Sequence, residues 1–598
     1  MMYDHFVLPF SIGLVFLIVY IVIKFGIWIF RMPQQDIIKF FKGVFSFKLI
    51  AAAWEMIRES LLHRNMYKVN RLLGYMHMSF AFGWFLLIAI GNLETRMLSG
   101  SEMNPPYYPI FFNFFELQPI AWKYAEAFSF VMDLILLYVL SGFVLVLIKR
   151  IRRRFFGMTK ATKHRLFDRI AMASLWMIFP FRLLAESFTS GIYHNGSFMT
   201  EPLGNLFATF LPLETLAVPA WWAYSIALGF FFITVPFGRY MHIPTELLLI
   251  MYRRFGIKPT KKYDVFTEVE VNSCPRCGVC IDKCQISSAA GIHNIQPLYL
   301  MSDIRTHKVR EEIIQNCLMC GRCQEYCPVG IHTENVRLTQ RLSIMDDGLR
   351  DFQYIDAAPK QEAEVIYFAG CMTHLTPTIK RAMTQLLDSA GVNYTFIDED
   401  GTICCGRPLM LSGEEESAKK LVKKNADLFM STGAKILVTS CPICYKVFNE
   451  DYPLTMEVLH HTQYLNRLVK EGKLNPLKNG ATLVYHDPCD LGRGSKVYQE
   501  PRELLLSTAS LAEPEFEEKF SVCCGGALGN FQLNYGTREK ITSAALSIML
   551  KPEPDKLITA CPLCKKTFAK SSSVEVLDVA EWLVRSIPDG NGVKSGVL

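Results

Sequence analysis

No cysteine occurs in the first 273 of the 598 residues; all 18 fall between Cys274 and Cys564. A disulfide framework distributed through a secreted chain is therefore excluded, and clustered CxxC spacings point to metal ligands or redox groups. Charge is also scarce, at 20% of residues against 51% hydrophobic, and mean hydropathy is positive. That balance excludes a disordered or wholly soluble chain. The formal charge of +7 lies beside apolar segments, which fits a membrane surface and gives no reason to expect nucleic acid. A GxGxxG after a strand and a GxxxxGK[ST] are both missing; the GRG of Gly492–Gly494 lacks the rest of either pattern. Hydride or flavin chemistry is then expected from a partner. The length demands several domains.

What is present begins with five apolar stretches, about Phe6–Phe30, Leu72–Asn92, Phe128–Ile148, Ile170–Phe188 and Val218–Tyr240. Each is long enough, at about 1.5 Å per residue, to cross a hydrocarbon core of about 30 Å. The first lacks the basic start and small-residue cleavage site of a signal peptide, so it is expected to stay attached. Residues 31–71 carry eight Lys or Arg and 149–169 carry nine, whereas 93–127 carry two and 189–217 none. The positive-inside rule then puts the N-terminus outside and the C-terminal half in the cytoplasm, in a multi-pass cytoplasmic membrane protein. Between the first two spans, IIKFFKGVFSFKLIAAAWEMIRESLL mixes apolar and basic residues at helical spacing, as an interfacial helix or helix pair does.

His77, inside the second span, and His242, placed at the end of the fifth, fall at similar depth. Two neutral imidazoles facing each other across a bundle are what a b-type haem needs on its two axial sides. A hydrogen-bonded bundle histidine and a wet loop histidine are the alternative. His63 and His164 lie in basic segments and read as surface residues. Arg182 and Glu186, one turn apart on the fourth span, lie at the depth of Tyr224. They are either an i,i+4 pair that neutralises itself or, with Tyr224, a quinone head-group site. The loop NPPYYPIFFNFF has the composition to cover such a pocket.

YMHMSFAFG and LGFFFITVPFGRYMHIPTELLLIMYRRFG resemble the haem-bearing helices of the membrane cytochrome b subunit of respiratory nitrate reductase and of the related heterodisulfide reductase cytochrome. The resemblance spans about the first 255 residues and implies one haem b on His77 and His242. A second, outer haem in that family takes histidines where this chain has Leu87 and Tyr224, so it is expected to be absent.

The membrane half gives way to Cys274-x2-Cys277-x2-Cys280-x3-Cys284 and Cys317-x2-Cys320-x2-Cys323-x3-Cys327-Pro328. Three cysteines two apart wrap one [4Fe–4S] cubane, and the fourth is carried to its neighbour. The spacing assigns Cys274, Cys277, Cys280 and Cys327 to one cluster and Cys317, Cys320, Cys323 and Cys284 to the other. Zinc is the alternative, but gives no reason for two copies of a 2-2-3 spacing. Gln285 stands where ferredoxins usually place proline, which leaves the local turn open. The 32 residues between the motifs have room for a helix around SDIRTHKVREEII.

The other ten cysteines form two sets, Cys371, Cys404, Cys405, Cys441, Cys444 and Cys489, Cys523, Cys524, Cys561, Cys564, offset by 118 to 120 residues. That is an internal duplication. VIYFAG, ILVTS, LVYHDP and LITA stand just before Cys371, Cys441, Cys489 and Cys561, and alternate with helix-like segments such as SAKKLVKKNADLFM and REKITSAALSIML. This reads as βαβ architecture whose cysteines gather at the carboxyl edge of a parallel sheet. CPIC and CPLC alone would suit a dithiol or a structural zinc. The adjacent pairs Cys404-Cys405-Gly406 and Cys523-Cys524-Gly525 do not point easily at one tetrahedron, and the glycine suggests close backbone approach to a bulky group. Over about residues 364–580 the arrangement resembles the cysteine-rich CCG domain of heterodisulfide reductase. It implies one noncubane [4Fe–4S] cluster, the catalytic centre, per five-cysteine set.

The fold class expected is thus multidomain: an all-α bundle of five transmembrane helices (1–255), an α-helical dicluster ferredoxin domain (256–350) and a duplicated α/β CCG domain (351–475 and 476–598). The whole resembles bacterial membrane oxidoreductases serving electron-transfer flavoprotein, with that or another cytosolic flavoprotein as partner and menaquinone as substrate. A quinol-dependent disulfide reductase, and an iron–sulfur membrane anchor for a hydroxy-acid or glycerol-3-phosphate dehydrogenase, are the alternatives, since CCG modules serve several substrates.

Overall fold

The computed structural model describes residues 4–99, 105, 107–116, 124–152, 158, 164–344, 348, 350, 352–353, 355, 362–526, 528–530 and 532–587. It divides into two compact units, Met1–Val279 with Pro328–Ile331, and Cys280–Cys327 with His332–Leu598.

Among the described residues of the first unit, five helices are long and apolar enough to cross a membrane: α1 (Leu8–Phe30), α4 (Arg71–Ser99), α5 (Ala125–Ile151), α6 (Leu166–Tyr193) and α7 (Leu213–Thr234). Between α1 and α4 lie α2 (Gln34–Val44) and α3 (Lys48–Met56), the pair expected from the mixed apolar and basic stretch. They leave Phe41, Phe45, Phe47, Ile50 and Trp54 exposed, an arrangement suited to a lipid interface. Much of the basic segment after α5, residues 153–157 and 159–163, lies outside the described residues, as do residues 104 and 106 of the aromatic loop.

In lipid, apolar side chains gain little by leaving their surroundings, so helices associate where small residues let backbones meet. α1 and α7 do this at Gly13 and Gly229. A Cβ on Gly13 would lie 2.8 Å from the Gly229 Cα, and one on Gly229 would collide with the Pro9 carbonyl oxygen. The Phe10 N–H donates to Ser225 Oγ at 3.2 Å beside this crossing. Gly229→Leu is therefore expected to separate the two helices and to cost about 1–3 kcal/mol of overpacking, measured as a lower unfolding temperature in detergent.

The fifth span ends sooner than its hydropathy suggested. α7 stops at Thr234, and two short 3-10 turns, Val235–Phe237 and Arg239–Met241, precede a separate helix α8 (His242–Phe255). Pro236 supplies no N–H to continue the ladder, and Gly238 is extended, with φ −102° and ψ −174°. His242 thus opens α8 instead of closing the fifth span.

The second unit begins with short helices around the cysteine loops. The single helix expected over 302–314 is two, α9 (Pro297–Ile304) and α10 (Glu311–Gln315). The intervening RTHKVR has no apolar face to bury, and His307 takes a left-handed φ of 52°. Two parallel four-stranded sheets follow. The first comprises β1 (Val365–Phe368), β2 (Tyr394–Phe396), β3 (Ile436–Thr439) and β4 (Glu457–His460). The second comprises β5 (Thr482–His486), β6 (Ser510–Ala512), β7 (Lys556–Thr559) and β8 (Glu575–Asp578). Their orders, β2-β1-β3-β4 and β6-β5-β7-β8, are the same, so the duplication seen in cysteine spacing is a duplication of fold. The four runs ending in VIYF, ILVT, LVYH and LIT are the four central strands, buried on both faces as parallel strands are. One apolar core serves both halves, with Tyr367, Val438 and Leu465 from the first and Tyr485, Ile558 and Leu583 from the second.

Candidate metal centres and membrane cavity

Cys371, Cys441, Cys489 and Cys561 each follow a central strand by two or three residues, at the carboxyl edge where βαβ sheets bind ligands. The adjacent pairs come from loops after β2 and β6. In the second set the Cys523 thiol meets those of Cys489 and Cys524, Cys524 meets Cys564, and Cys564 meets Cys561. In the first set Cys405 meets Cys404 and Cys444, and Cys444 meets Cys441. Cys371 is the exposed member; its charge is felt by Cys404. Each quintet is thus brought together.

The central thiols are drawn toward the thiolate. The Cys404 and Cys444 thiols beside Cys405 hold it well below the ordinary thiol range, and Cys523 and Cys564 do the same for Cys524. Backbone N–H groups also point at sulfur: Gly406 N–H at Cys404 Sγ, 3.4 Å, and Gly525 N–H at Cys523 Sγ, 3.5 Å. Such donors suit thiolates carrying the charge of an iron–sulfur centre. Gly406 and Gly525 have φ of +84° and +90°, the left-handed region that glycine enters freely. At Gly525 a Cβ would also press on Thr542 Oγ1 at 2.8 Å. Glycine is required here by the backbone, which turns both cysteines inward. Beside the second set opens a cavity whose wall includes Cys489, Cys524, Cys561, Arg407, Ile443 and Met319. Among the described residues, no three His, Cys, Asp or Glu side chains close around a single metal ion.

Cys284, Cys317, Cys320 and Cys323 also gather in the second unit. Burial pushes the Cys284 thiol up to about 11, reinforced by Cys320 and Cys317, and raises Cys323 in the same way. Cys320 is instead drawn down to about 6, first by the thiol of Cys523 and then by the nearby Arg493 and Arg322. Of the remaining four, Cys274 and Cys277 belong to the first unit and Cys280 and Cys327 to the second.

Within the first unit the Cys274–Cys277 loop is tied to the bundle. Arg276, in a left-handed conformation with φ 54°, pairs with Asp168 of α6 at 2.7 Å, with side chains 6% and 2% exposed. Asp168 also accepts the Arg239 N–H at 2.7 Å, and Arg239 donates to the Arg276 carbonyl at 2.5 Å. Sequence reading missed this tie, whose one local signal is an acid at the head of a span.

His77 and His242 each direct Nδ1 at a backbone carbonyl, Leu73 and Arg239 respectively, both at 2.8 Å. With Nδ1–H donating, the lone pair sits on Nε2, the tautomer of a metal-ligating imidazole. Each ring can then offer Nε2 to a metal. The surface reading of His63 and His164 is corrected. The His63 ring lies 5.5 Å from that of His77, and His164 is half-buried, its pKa pushed down to about 4 by burial and then by Arg239. Charge alone did not signal either placement.

At the far end of α4 from His77, Arg182 binds Glu186 at 2.8 Å with both side chains buried, and its guanidinium lies 6.0 Å from the Tyr224 ring centre. The three residues singled out in the sequence do meet. Arg182 and Glu186 border a polar cavity that Glu94, Asp133, Phe112 and Asn113 also line, the last two from the aromatic loop. Asp133 is held by the N–H groups of Met199 and Thr200 at 2.9 and 3.0 Å. Glu94 and Asp133 were not identified from the sequence, because an acid near a span end reads as solvated.

Residues 365–449 and 483–569 match the cysteine-rich CCG domain family, and residues 270–331 match the 4Fe-4S dicluster domain family. An EtfAB:quinone oxidoreductase of Syntrophomonas wolfei is 25% identical over 510 residues, covering 65% of this chain and 71% of that protein. One subunit of the dihydromethanophenazine:CoB–CoM heterodisulfide reductase of Methanosarcina acetivorans is 26% identical, covering 55% and 97%. One subunit of the CoM/CoB fumarate reductase of Methanothermobacter marburgensis is 24% identical, covering 56% and 76%.

Proposed function

Taking this chain as an electron-transferring iron–sulfur oxidoreductase of the type shared by that heterodisulfide reductase subunit and EtfAB:quinone oxidoreductase, we propose that it passes electrons between a cytosolic flavoprotein and membrane menaquinone. The observation that carries this reading is that one chain holds both a buried polar cavity among apolar spanning helices and thiol sets gathered at sheet edges. In this reading His77 and His242 hold one haem b. Cys274, Cys277, Cys280 and Cys327 hold one cubane, and Cys284, Cys317, Cys320 and Cys323 the other. The two quintets each hold a noncubane cluster. These groups supply one-electron carriers. The loop charges support placing the iron–sulfur domains on the cytoplasmic side.

The protein's own contribution at the quinone is orientation and charge. Arg182, held by Glu186, presents a fixed cation to a quinone oxygen as negative charge develops there. Tyr224 supports the guanidinium from its other side.

The test is to add reduced electron-transfer flavoprotein to membranes containing the chain and follow haem and menaquinone reduction. Reduction of both is expected. Arg182→Ala and Tyr224→Phe should slow quinone turnover, the arginine change by about ten- to a hundredfold as a charge-assisted hydrogen bond is lost, with haem content intact. Unchanged quinone kinetics would reject the cavity. A second reading is favoured by the open cavity against the Cys489 set: quinol-dependent reduction of a disulfide. No response to the flavoprotein, with reoxidation by a disulfide, would select it. A dehydrogenase that copurifies stably would instead mark the chain as an anchoring and wiring subunit.

A further inference from the structure

The two repeats share topology but not the way their paired cysteines are held. In the first repeat the Cys404 carbonyl accepts from Asn425 Nδ2 at 2.8 Å, and the Cys405 carbonyl from the Tyr452 hydroxyl at 3.1 Å. Both donors belong to that repeat. In the second, Thr542 Oγ1 of that repeat donates to the Cys524 carbonyl at 2.8 Å, but the backbone of Cys523 is gripped from outside. Gln285 Nε2 donates to the Cys523 carbonyl at 3.0 Å, and the Cys523 N–H donates to Gln285 Oε1 at 2.5 Å. Gln285, 6% exposed, directly follows Cys284 in the dicluster segment.

Two arginines fasten the same seam. Arg493, which follows Cys489 by four residues, donates to the Cys320 carbonyl at 2.7 Å and to the Ser521 carbonyl at 2.6 Å. Arg322 donates to the Phe520 carbonyl at 3.1 Å and to the Lys283 carbonyl at 3.3 Å. Each side chain therefore bridges a cysteine loop of the dicluster segment and the loop that carries Cys523. The thiols of Cys320 and Cys523 lie within reach of each other.

We infer that the second repeat, and not the first, is the electrical junction of the CCG domain with the dicluster segment, and that Gln285 is the positioning residue that sets it. This rests on the reading that the Cys284 and Cys489 sets hold clusters. The step is a one-electron exchange: the centre on Cys284, Cys317, Cys320 and Cys323 loses one electron as that on the Cys489 quintet gains it, with no bond made or broken. The two-point amide pair fixes the separation of the centres, on which the rate depends steeply. Proline, the usual residue after the fourth ferredoxin cysteine, has no group to make this pair. The departure of this sequence from that pattern then has a physical purpose.

The experiment compares full-length wild type, Gln285→Leu, Gln285→Glu and Asn425→Leu in nanodiscs. Leucine keeps the bulk of glutamine and loses both hydrogen bonds; glutamate keeps only the acceptor. Iron content, the spin–spin interaction between the two centres by EPR, and the rate of electron exchange after rapid reduction are read together. Gln285→Leu should retain its iron, lose the interaction and exchange electrons several-fold more slowly. Gln285→Glu should fall between, and Asn425→Leu should keep the interaction. Wild-type interaction and rate in Gln285→Leu would overturn the assignment. So would loss of iron from the Cys489 quintet in that variant, which marks a folding role. Zinc in place of iron in the wild type would bring down the underlying cluster reading instead.

Discussion

Replacing Cys524 by serine is expected to strip about a quarter of the iron from the purified protein, the share of one four-iron centre among four, and to stop electron flow through the second repeat. Cys524 sits in the middle of its set, touching Cys523 on one side and Cys564 on the other. Those neighbours hold its thiol well below the ordinary range, and a thiolate is the form that binds iron. A serine hydroxyl is harder and far less acidic, so it does not replace the sulfur. Cys405→Ser should remove an equal share from the first repeat, since Cys405 has the same central place. Iron and labile-sulfide assays with EPR measure both losses. Cys405→Ser and Cys524→Ser samples retaining full iron would show that the quintets do not hold the centres.

The second large effect is expected at Asp168. Asp168→Ala leaves the Arg276 guanidinium buried with its carboxylate gone, and breaking a buried pair from one side costs about 3–5 kcal/mol. The same change removes the acceptor for the Arg239 N–H. Because Arg276 stands between Cys274 and Cys277, the damage should reach the first cysteine loop. The variant is expected to unfold earlier in detergent and to lose the iron of that set preferentially. Asp168→Leu combined with Arg276→Met replaces the pair with apolar groups and should recover part of the stability, which a double-mutant cycle resolves. A double variant no more stable than Asp168→Leu alone would show that the two side chains act independently.

Much of this architecture is legible in the chain because its signals are local and dense. VIYF, ILVT, LVYH and LIT announce the central strands, and the cysteine offsets announce the repeat. The four outer strands were not read: Tyr394–Phe396 and Ser510–Ala512 are three residues long, too short to show a period of two, and Glu457–His460 and Glu575–Asp578 each open on an exposed acid. The site followed the same division. The thiol sets and the Arg182–Glu186–Tyr224 group come from spacing and depth. Gln285 was visible only as a departure from a pattern, because its partner Cys523 lies 238 residues away. Likewise nothing near Asp168 in sequence foretells Arg276, and only packing shows that His63 lies beside His77.

The common core of the two sheets makes the duplication irreversible in a physical sense. A gene for one half alone would encode a domain with Tyr367, Val438 and Leu465, or Tyr485, Ile558 and Leu583, laid bare to water. Once the copies had fused their interiors, neither was free to drift into an independent module. Loss of the scaffold of one half would take the other half with it.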